Sequence, residues 1–251
     1  MKISCIIQAR VSSTRLPNKI MLKVSGKEIL IHVVERVLRA TKIDNVIVAT
    51  TTNPSDSSVV SLINEFDDDR VSVIRGSEED VLDRYYQAAM KSNSDVVIRI
   101  TSDCPLIDWQ LLDRMVNEFV DGDFDYISNV LTKRTYPRGL DVEVFSFEVL
   151  KKMWESCEEK REREHVTTRI RENPTLFKTK NIQQEMDLSN LRWTVDEEDD
   201  LKLIKIIYEE LYHKKADFGT NDILELIKAR PELATMNAHV EQQKNVQSEA
   251  N

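Results

Sequence analysis

The feature that most constrains the fold is an alternation of short β-branched runs with longer amphipathic segments. The β-branched runs predict strands, and the segments between them carry apolar residues at three- and four-residue spacing, which predicts helices. This order is typical of a mostly parallel sheet covered by helices, a Rossmann-like α/β fold with right-handed crossovers. The predicted strands are residues 3–8, 45–50, 71–75 and 96–100, and the predicted helices are residues 28–39, 57–66, 81–91 and 110–119.

The pattern changes after residue 119. Residues 126–129, 141–145 and 191–195 are interpreted as strands with longer excursions between them, so we expect mixed strands in this half. Residues 232–251 are polar and lack periodicity, which predicts a loosely ordered tail. We therefore expect one domain over residues 1–231, a length that can bury one large core.

Charge restricts the classes of partner. The chain has 35 basic and 44 acidic residues and a net charge of -9, whereas its first 27 residues hold six cations and no acid. A broad basic surface is needed to coat nucleic acid or an anionic membrane, so we expect neither partner. A local anion site near the N-terminus is compatible with this composition, because distant charges are screened beyond about 8 Å at physiological salt.

Cysteine usage and the N-terminal segment indicate the compartment. Cys5, Cys104 and Cys157 are widely spaced and odd in number, which favours reduced thiols in a cytoplasm. The segment MKISCIIQAR has only a short apolar run, so we expect neither a signal peptide nor a membrane span.

A basic loop follows the first predicted strand. The stretch QARVSSTRLPNKIML, residues 8–22, supplies positive charge from Arg10, Arg15 and Lys19 and hydroxyl donors from Ser12 and Ser13. Open α/β sheets bind ligands in a crevice at the carboxyl ends of their strands, and this position suits phosphate groups. A solvated basic turn is the alternative. We expect Arg15 and Lys19 to be exposed when no ligand is bound.

Two aspartates stand where predicted strands end. Asp103 ends one strand in RITSDCPLID, and Asp196 ends another in LRWTVDEEDDLKLI. Carboxylates at different strand ends can share one Mg²⁺, which commonly binds through one or two carboxylates plus substrate phosphates. In the structural alternative, Asp103 caps its turn, Asp108 caps the helix near residue 110, and Asp196 caps the following helix.

Six motifs together give the chain a resemblance to the SpsF family of cytidylyltransferase-like proteins, relatives of the Kdo and acylneuraminate cytidylyltransferases. They are QARVSSTRLPNK, GSEEDVLDRYYQA (76–88), RITSDCPLID, RTYPRGLDVEVFS (134–146), EREHVT (162–167) and LRWTVDEEDDL, and they span nearly the whole chain. The family pattern usually has glycine where this chain has Ser12 and Asn18. Asn tolerates a left-handed backbone better than most residues, so Asn18 is the milder departure.

The resemblance implies a three-layer Rossmann-like nucleotidyltransferase of the nucleotide-diphospho-sugar transferase type. Such an enzyme transfers CMP from CTP to an acidic sugar or phosphorylated acceptor and releases pyrophosphate, in cell-surface or spore-coat polysaccharide precursor synthesis. It implies Mg²⁺ as cofactor and a cytoplasmic homodimer. Residues 1–125 would form the nucleotide-binding part, and residues 126–231 would form the acceptor and dimerisation part.

The resemblance also implies site residues. Arg10, Arg15 and Lys19 would hold the triphosphate in catalysis, and Asp103 and Asp196 would hold the metal. The nucleotide-binding set is Gln8, Ala9, Arg10, Ser12, Ser13, Arg15, Lys19, Arg75, Ser77, Asp80 and Asp103. The acceptor-binding set is Arg138, Asp141, Glu143, Glu164, His165 and Arg192.

Structural interpretations compete for some of these residues. Ser77 and Asp80 form a capping-type pattern, and His165 lies in a run of alternating charge that suits a solvated face. Two other functions also stay open. One is a metal-dependent glycosyltransferase that uses Asp121 and Asp123 of the DGD stretch, and the other is a binding module without turnover.

Overall fold

The computed structural model describes residues 1–173 and 175–240. Its strands are β1 (Ile3–Gln8), β2 (Lys23–Val24), β3 (Lys27–Glu28), β4 (Asn45–Thr51), β5 (Val71–Gly76), β6 (Val96–Thr101), β7 (Tyr126–Ser128), β8 (Glu143–Ser146) and β9 (Thr179–Asn181). Its α-helices are α1 (Ile29–Leu38), α2 (Ser57–Asn64), α3 (Val81–Lys91), α4 (Trp109–Val120), α5 (Phe147–Ser156), α6 (Lys160–Glu164), α7 (Thr168–Glu172), α8 (Glu198–Leu211) and α9 (Thr220–Ala229). Short 3₁₀ helices cover Lys19–Met21, Pro54–Asp56 and Pro231–Ala234.

The central sheet has seven strands in the order β5-β4-β1-β6-β8-β7-β9, and β2 and β3 form a separate hairpin. Strands β5, β4, β1 and β6 are parallel, which confirms the four strands predicted in the first half. The second half is mixed as predicted, because β8 is antiparallel to both β6 and β7 while β7 and β9 are parallel. Because β1 and β6 are parallel neighbours in register from Ile3↔Val96 to Gln8↔Thr101, their carboxyl ends lie side by side.

Apolar residues on both faces of the sheet form two cores, as expected for a three-layer α/β fold. On β1, Ile3, Cys5 and Ile7 pack into one core and Ile6 into the other. The first core includes buried residues of α1, α2, α4, α8 and α9, and the second those of α3, α5 and α7. No helix in the described ranges has the length and apolar composition that a membrane span requires.

The prediction of a strand at residues 191–195 is wrong. The segment is extended but forms only an isolated bridge, between Arg192 and Arg138. Its amides bind loops instead of a neighbouring strand, because Trp193 N donates to Arg138 O at 2.6 Å and Val195 N donates to Asp103 O at 2.8 Å. Gly139 permits this approach, since a Cβ there would lie 2.6 Å from the Trp193 carbonyl.

The expected loose order of residues 232–251 is wrong for the part that the structure describes. Leu233 is fully buried, and Asn237 donates to the Asp200 carboxylate at 2.7 Å and to Arg192 O at 3.0 Å. One apolar side chain and one amide thus hold residues 232–240 against the protein. Residues 241–251 lie outside the described ranges.

Candidate functional site

Two adjoining cavities open at the carboxyl ends of β1 and β6. The larger, of about 750 Å³, is lined by the basic loop, and the smaller, of about 320 Å³, is lined by residues from the second half of the chain. Both are lined by Arg15, Thr101, Asp103, His165 and Asp196. These five residues mark the place where groups bound in the two cavities would meet.

Lys19 joins the two predicted metal ligands. Its Nζ lies 2.6 Å from Asp103 Oδ2 and 2.8 Å from Asp196 Oδ1, so the two carboxylates converge although they are 93 positions apart. Burial disfavours the charge on Lys19, but both aspartates outweigh it and raise its pKa. Burial likewise opposes ionisation of Asp103, but Lys19 and nearby hydroxyl and thiol donors lower its pKa. Lys19 and Asp103 are therefore both ionised at neutral pH.

The local backbone explains how Lys19 reaches this position. Asn18 adopts the left-handed conformation, with φ 56°, and the 3₁₀ helix begins at Lys19. This conformation favours glycine, and Asn is one of the few other residues that adopt it readily. Asn18 thus has the left-handed backbone that the sequence analysis expected asparagine to tolerate.

The capping alternative is wrong for Asp196. Helix α8 begins at Glu198, its N-cap is Glu197, and the capping box is completed by Asp200. Asp196 instead accepts from Lys19 and Arg15 on Oδ1 and from Arg192 on Oδ2. Its side chain is thus committed to cations, not to the helix terminus.

Asp103 is held by the turn after β6. Thr101 Oγ1 donates to Asp103 Oδ1 at 2.6 Å, which leaves Oδ2 for Lys19. The carbonyl of Asp103 accepts from Val195 N and from Thr194 Oγ1. These bonds tie the segment that precedes Asp196 to the turn that carries Asp103, and Asp108 caps α4 as the sequence suggested.

The donor set fits a single Mg²⁺. Two carboxylates from separate segments already bring one oxygen each to the same cationic atom, and Mg²⁺ commonly binds through one or two carboxylates plus substrate phosphates. Within the described ranges no group of three or more His, Cys, Asp or Glu side chains is placed to hold a metal. A metal at Asp103 and Asp196 would therefore need further oxygen ligands from substrate or water.

The other nucleotide-binding residues predicted in the basic loop also line the larger cavity. They are Gln8, Ala9, Arg10, Ser12 and Ser13. The loop is anchored at Val11, whose amide donates to the buried carboxylate of Asp56 at 2.7 Å. Arg10 is exposed and has no side-chain ion pair among the described residues.

The expectation that Arg15 and Lys19 are exposed is wrong. Their side chains keep only 25% and 13% of their accessible surface, because both are paired with acids of the site. Arg15 contacts Asp196 at 3.1 Å and Glu197 at 3.3 Å. The site is thus preorganised by its own ion pairs.

Three residues of the predicted nucleotide-binding set lie outside both cavities. Arg75 donates to the carbonyls of Thr51 and Asn53. Ser77 Oγ accepts from the amide of Asp80, and Asp80 N-caps α3 and pairs with Arg163. Ser77 and Asp80 therefore stabilise the start of α3, as the competing capping interpretation expects. Arg75 holds the backbone at the end of β4.

The smaller cavity brings together four residues of the predicted acceptor set: Arg138, Asp141, Glu143 and His165. Glu143 is buried and accepts from Arg99, from Tyr126 at 2.5 Å and from Thr167 at 2.7 Å. Burial opposes its ionisation, but Arg99 and Arg171 outweigh this effect and lower its pKa. Burial also lowers the pKa of His165, which favours a neutral imidazole.

The other two acceptor residues are placed differently. Glu164 lines the larger cavity. Arg192 lies outside both cavities, with 5% of its side chain exposed, because it pairs with Asp196 and the fully buried Asp200. Arg192 therefore supports Asp196 instead of contacting the cavity.

The residues of the glycosyltransferase alternative line neither of these two cavities. Asp121 follows α4 as its C-cap, and Asp123 is exposed and pairs with Lys178. The DGD stretch is a loop on the surface, so the site described above offers no support for a metal at these two residues.

Sequence reasoning missed three arginines. Arg99 and Arg171 line the smaller cavity, and Arg84 lines the larger one. Arg84 is almost fully buried, its Nε has no partner among the described residues, and Gly76 leaves room for its stem. A cation inside the apolar run VVIRI was a usable signal for Arg99, whereas Arg84 had no comparable mark.

Comparison with known proteins identifies the family of the chain. The chain matches the cytidylyltransferase family over residues 4–244. The chain belongs to the cytidylyltransferase family. This cytidylyltransferase-family protein is 39% identical over 246 residues to an uncharacterized protein of Methanocaldococcus jannaschii, covering 96% of this chain and 97% of that one.

Two further relatives confirm the resemblance. The spore coat polysaccharide biosynthesis protein SpsF of Bacillus subtilis is 30% identical over 239 residues, covering 92% of this chain and 95% of SpsF. The structure of a cytidylyltransferase from Leptospira borgpetersenii superposes with a TM-score of 0.87 at 35% identity, covering 93% of this chain and 97% of that one. The Rossmann-like nucleotidyltransferase fold of this family member is thereby confirmed.

Proposed function

We propose that the protein transfers CMP from CTP to a small acidic or phosphorylated sugar-like acceptor and releases pyrophosphate. Family membership supports cytidylyl transfer, and the observation that carries the proposal is the meeting of Asp103 and Asp196 at Lys19. The two carboxylates and the ammonium lie where the two cavities join. Such a junction suits a reaction between a polyphosphate in one cavity and an acceptor oxygen in the other.

The larger cavity would hold CTP. Arg10, Arg15 and Lys19 reach it from one loop, so they can neutralise the negative charge on the phosphates. Phosphoryl and nucleotidyl transfer need little covalent participation by the protein, so positioning and charge stabilisation supply most of the rate. The loop's role is to hold the α-phosphate in line with the acceptor and to stabilise the departing pyrophosphate.

Asp103 and Asp196 would hold Mg²⁺ beside the α-phosphate. Bound there, the metal would supply positive charge to the phosphate and lower the proton affinity of the acceptor oxygen. The residues around these acids keep them in place, since Thr101 fixes Asp103 and Arg192 fixes Asp196. Ordered ligands matter because small displacements at a reacting centre reduce the rate strongly.

The smaller cavity would hold the acceptor. Arg138 and Arg171 line it without a side-chain ion pair in the described part of the chain, so they are available to an anionic group. Arg99 is neutralised by Glu143, and Asp141 pairs with Arg134. The neutral imidazole of His165, at the junction, can accept a hydrogen bond from an acceptor hydroxyl.

Pyrophosphate release tests this proposal. Each of the four nucleoside triphosphates is incubated with Mg²⁺ and a panel of sugar acids and sugar phosphates. We expect release with CTP and at least one acceptor, little with the other nucleotides, and loss of release in Asp103→Asn. Asp123→Asn, the same substitution at an exposed carboxylate that lines neither cavity, is the matched control and should retain activity. Release with none of the combinations would contradict the proposal.

The wider setting stays a set of predictions. They are a homodimer, a cytoplasmic location, a role in cell-surface or spore-coat polysaccharide precursor synthesis, and the division into parts at residue 125. Light scattering of the purified protein at several concentrations tests the first, with a mass of twice 29.1 kDa expected.

A further inference from the structure

The ammonium of Lys19 lies in the position that a shared metal ion would need. Its Nζ contacts one oxygen of Asp103 at 2.6 Å and one of Asp196 at 2.8 Å. A Mg²⁺ at this site would depend on the same two carboxylates for its protein ligands. Two cations cannot share these oxygens closely, because like charges at about 4 Å repel by several kcal/mol at a protein-like dielectric.

We propose that Lys19 competes with divalent cations for Asp103 and Asp196, so that the protein binds the cation well only after nucleotide phosphates have drawn Lys19 away. This inference rests on the proposed function, because it supposes that a triphosphate binds at the basic loop. It assigns Lys19 a second role, as the group that links metal binding to nucleotide binding.

Lys19 is the cation in this site that is suited to move. It stands on a flexible four-carbon stem in a loop that lines the larger cavity. Arg192 is enclosed by Asp196 and Asp200, and it uses Oδ2 of Asp196, not the oxygen that Lys19 contacts. Arg15 shares Oδ1 of Asp196, but in the described part of the chain its second ion pair is with Glu197 and not with Asp103.

Linkage gives this arrangement a measurable consequence. If nucleotide raises the affinity for the cation by removing a competitor, the cation raises the affinity for nucleotide by the same factor. Without nucleotide, Lys19 pairs with both carboxylates and Asp196 also pairs with Arg15 and Arg192, so a metal ion gains little by entering. Removing the ammonium should therefore create a cation site in the nucleotide-free protein.

The test measures Mn²⁺ binding to the nucleotide-free protein by the loss of the free-ion EPR signal. We expect weak binding by the wild type and binding about tenfold tighter or more by Lys19→Met, on the scale of ordinary coupling between sites. Arg10→Met is the matched control, because it removes a cation from the same loop without a contact to either acid. It should bind Mn²⁺ like the wild type, and Lys19→Met/Asp103→Asn should lose the gain.

Tight binding of Mn²⁺ by the nucleotide-free wild type overturns the inference without any variant. Equal affinities in wild type and Lys19→Met, or an equal gain in Arg10→Met, also overturn it. Lys19→Gln replaces Lys19→Met if thermal melting shows that the latter does not fold. The assay contains no nucleotide, so its failure is separate from failure of the proposed function, which is shown by absent pyrophosphate release.

Discussion

Arg192 donates to Oδ2 of Asp196 at 2.7 Å, and this contact leaves Oδ1 of the same carboxylate to the cations of the cavity. The guanidinium also bonds Asp200, which is fully buried. Arg192 therefore supports the site from the protein interior, at the point where the extended segment 191–195 leads into α8.

Replacement of Arg192 should destabilise the protein. Arg192→Met leaves a buried carboxylate without its cationic partner, and breaking a buried ion pair in this way costs about 3–5 kcal/mol. Urea unfolding measures the change in the free energy of unfolding. Lys202→Met, which removes an exposed ion pair with Asp199 on α8, should cost much less. Similar losses in the two variants would contradict the role assigned to Arg192.

Arg15 should matter to nucleotide binding much more than to folding. Arg15→Met removes a partly exposed cation, and a lost charge-assisted contact to phosphate weakens binding by about 1.5–3 kcal/mol. Calorimetric titration with CTP measures this loss. Lys23→Met, a change at an exposed cation of the same segment, should leave the affinity unchanged. If Arg15→Met binds CTP as tightly as the wild type and Lys23→Met do, Arg15 does not contact the nucleotide.

Acid should remove the stabilising effect of Glu143. Burial opposes its charge, but Arg99 and Arg171 hold its pKa below the usual value of 4.5. A carboxylate with a depressed pKa stabilises the fold above its unfolded-state pKa, and this contribution is lost as the pH falls through the folded-state value. The difference in unfolding free energy between wild type and Glu143→Gln should therefore be largest near pH 7 and shrink as the pH falls below 4.5.

Urea unfolding at several pH values measures this difference. Glu148→Gln, at an exposed position on α5, is the control, and its difference from the wild type should stay small throughout. A gap between wild type and Glu143→Gln that widens on acidification would show that the folded-state pKa of Glu143 lies above its unfolded-state pKa, and would contradict this prediction.

Periodicity predicted the first half of the fold because its elements are regular. Strands β1, β4 and β6 are buried runs, β5 is a half-buried edge strand, and each is followed by a helix or turn. The segment 191–195 has the composition of a strand, but its hydrogen-bond partners are loops around Gly139 and Asp103, which no local pattern reveals. The order of residues 232–240 likewise depends on contacts of Leu233 and Asn237 with distant parts of the chain.

Part of the candidate site could likewise be predicted from the sequence, and part could not. Positions that follow strands in sequence, Asp103 and the basic loop, were found because parallel strands end at one edge of the sheet. The burial of the Lys19 and Arg192 side chains could not be predicted from the sequence. Lys19 is buried by its ion pair with Asp103, 84 positions away, and Arg192 by its ion pair with Asp200, 8 positions away. Motif resemblance assigned Arg75, Ser77 and Asp80 to the nucleotide, whereas local capping and backbone contacts account for them.

Asp103 and Asp196 should act as one unit in turnover. Each single change to Asn preserves shape but removes the charge that the metal needs, so the rate of pyrophosphate release should fall by about 10² or more. The double variant should lose much less than the product of the two single losses, since residues that serve one function are non-additive. Thermal melting checks that all three variants fold. Two folded single variants with normal rates and unchanged Mg²⁺ dependence would show that neither Asp103 nor Asp196 is a metal ligand.

The most direct test of CMP transfer follows the phosphates of CTP separately. With CTP labelled at the α-phosphorus, the label should appear in an acceptor-linked product, and with CTP labelled at the γ-phosphorus it should leave as pyrophosphate. Both signals should require the acceptor and disappear together in Asp103→Asn. Release of the γ-label as orthophosphate, with no α-label on any acceptor, would contradict nucleotidyl transfer as the activity of this protein.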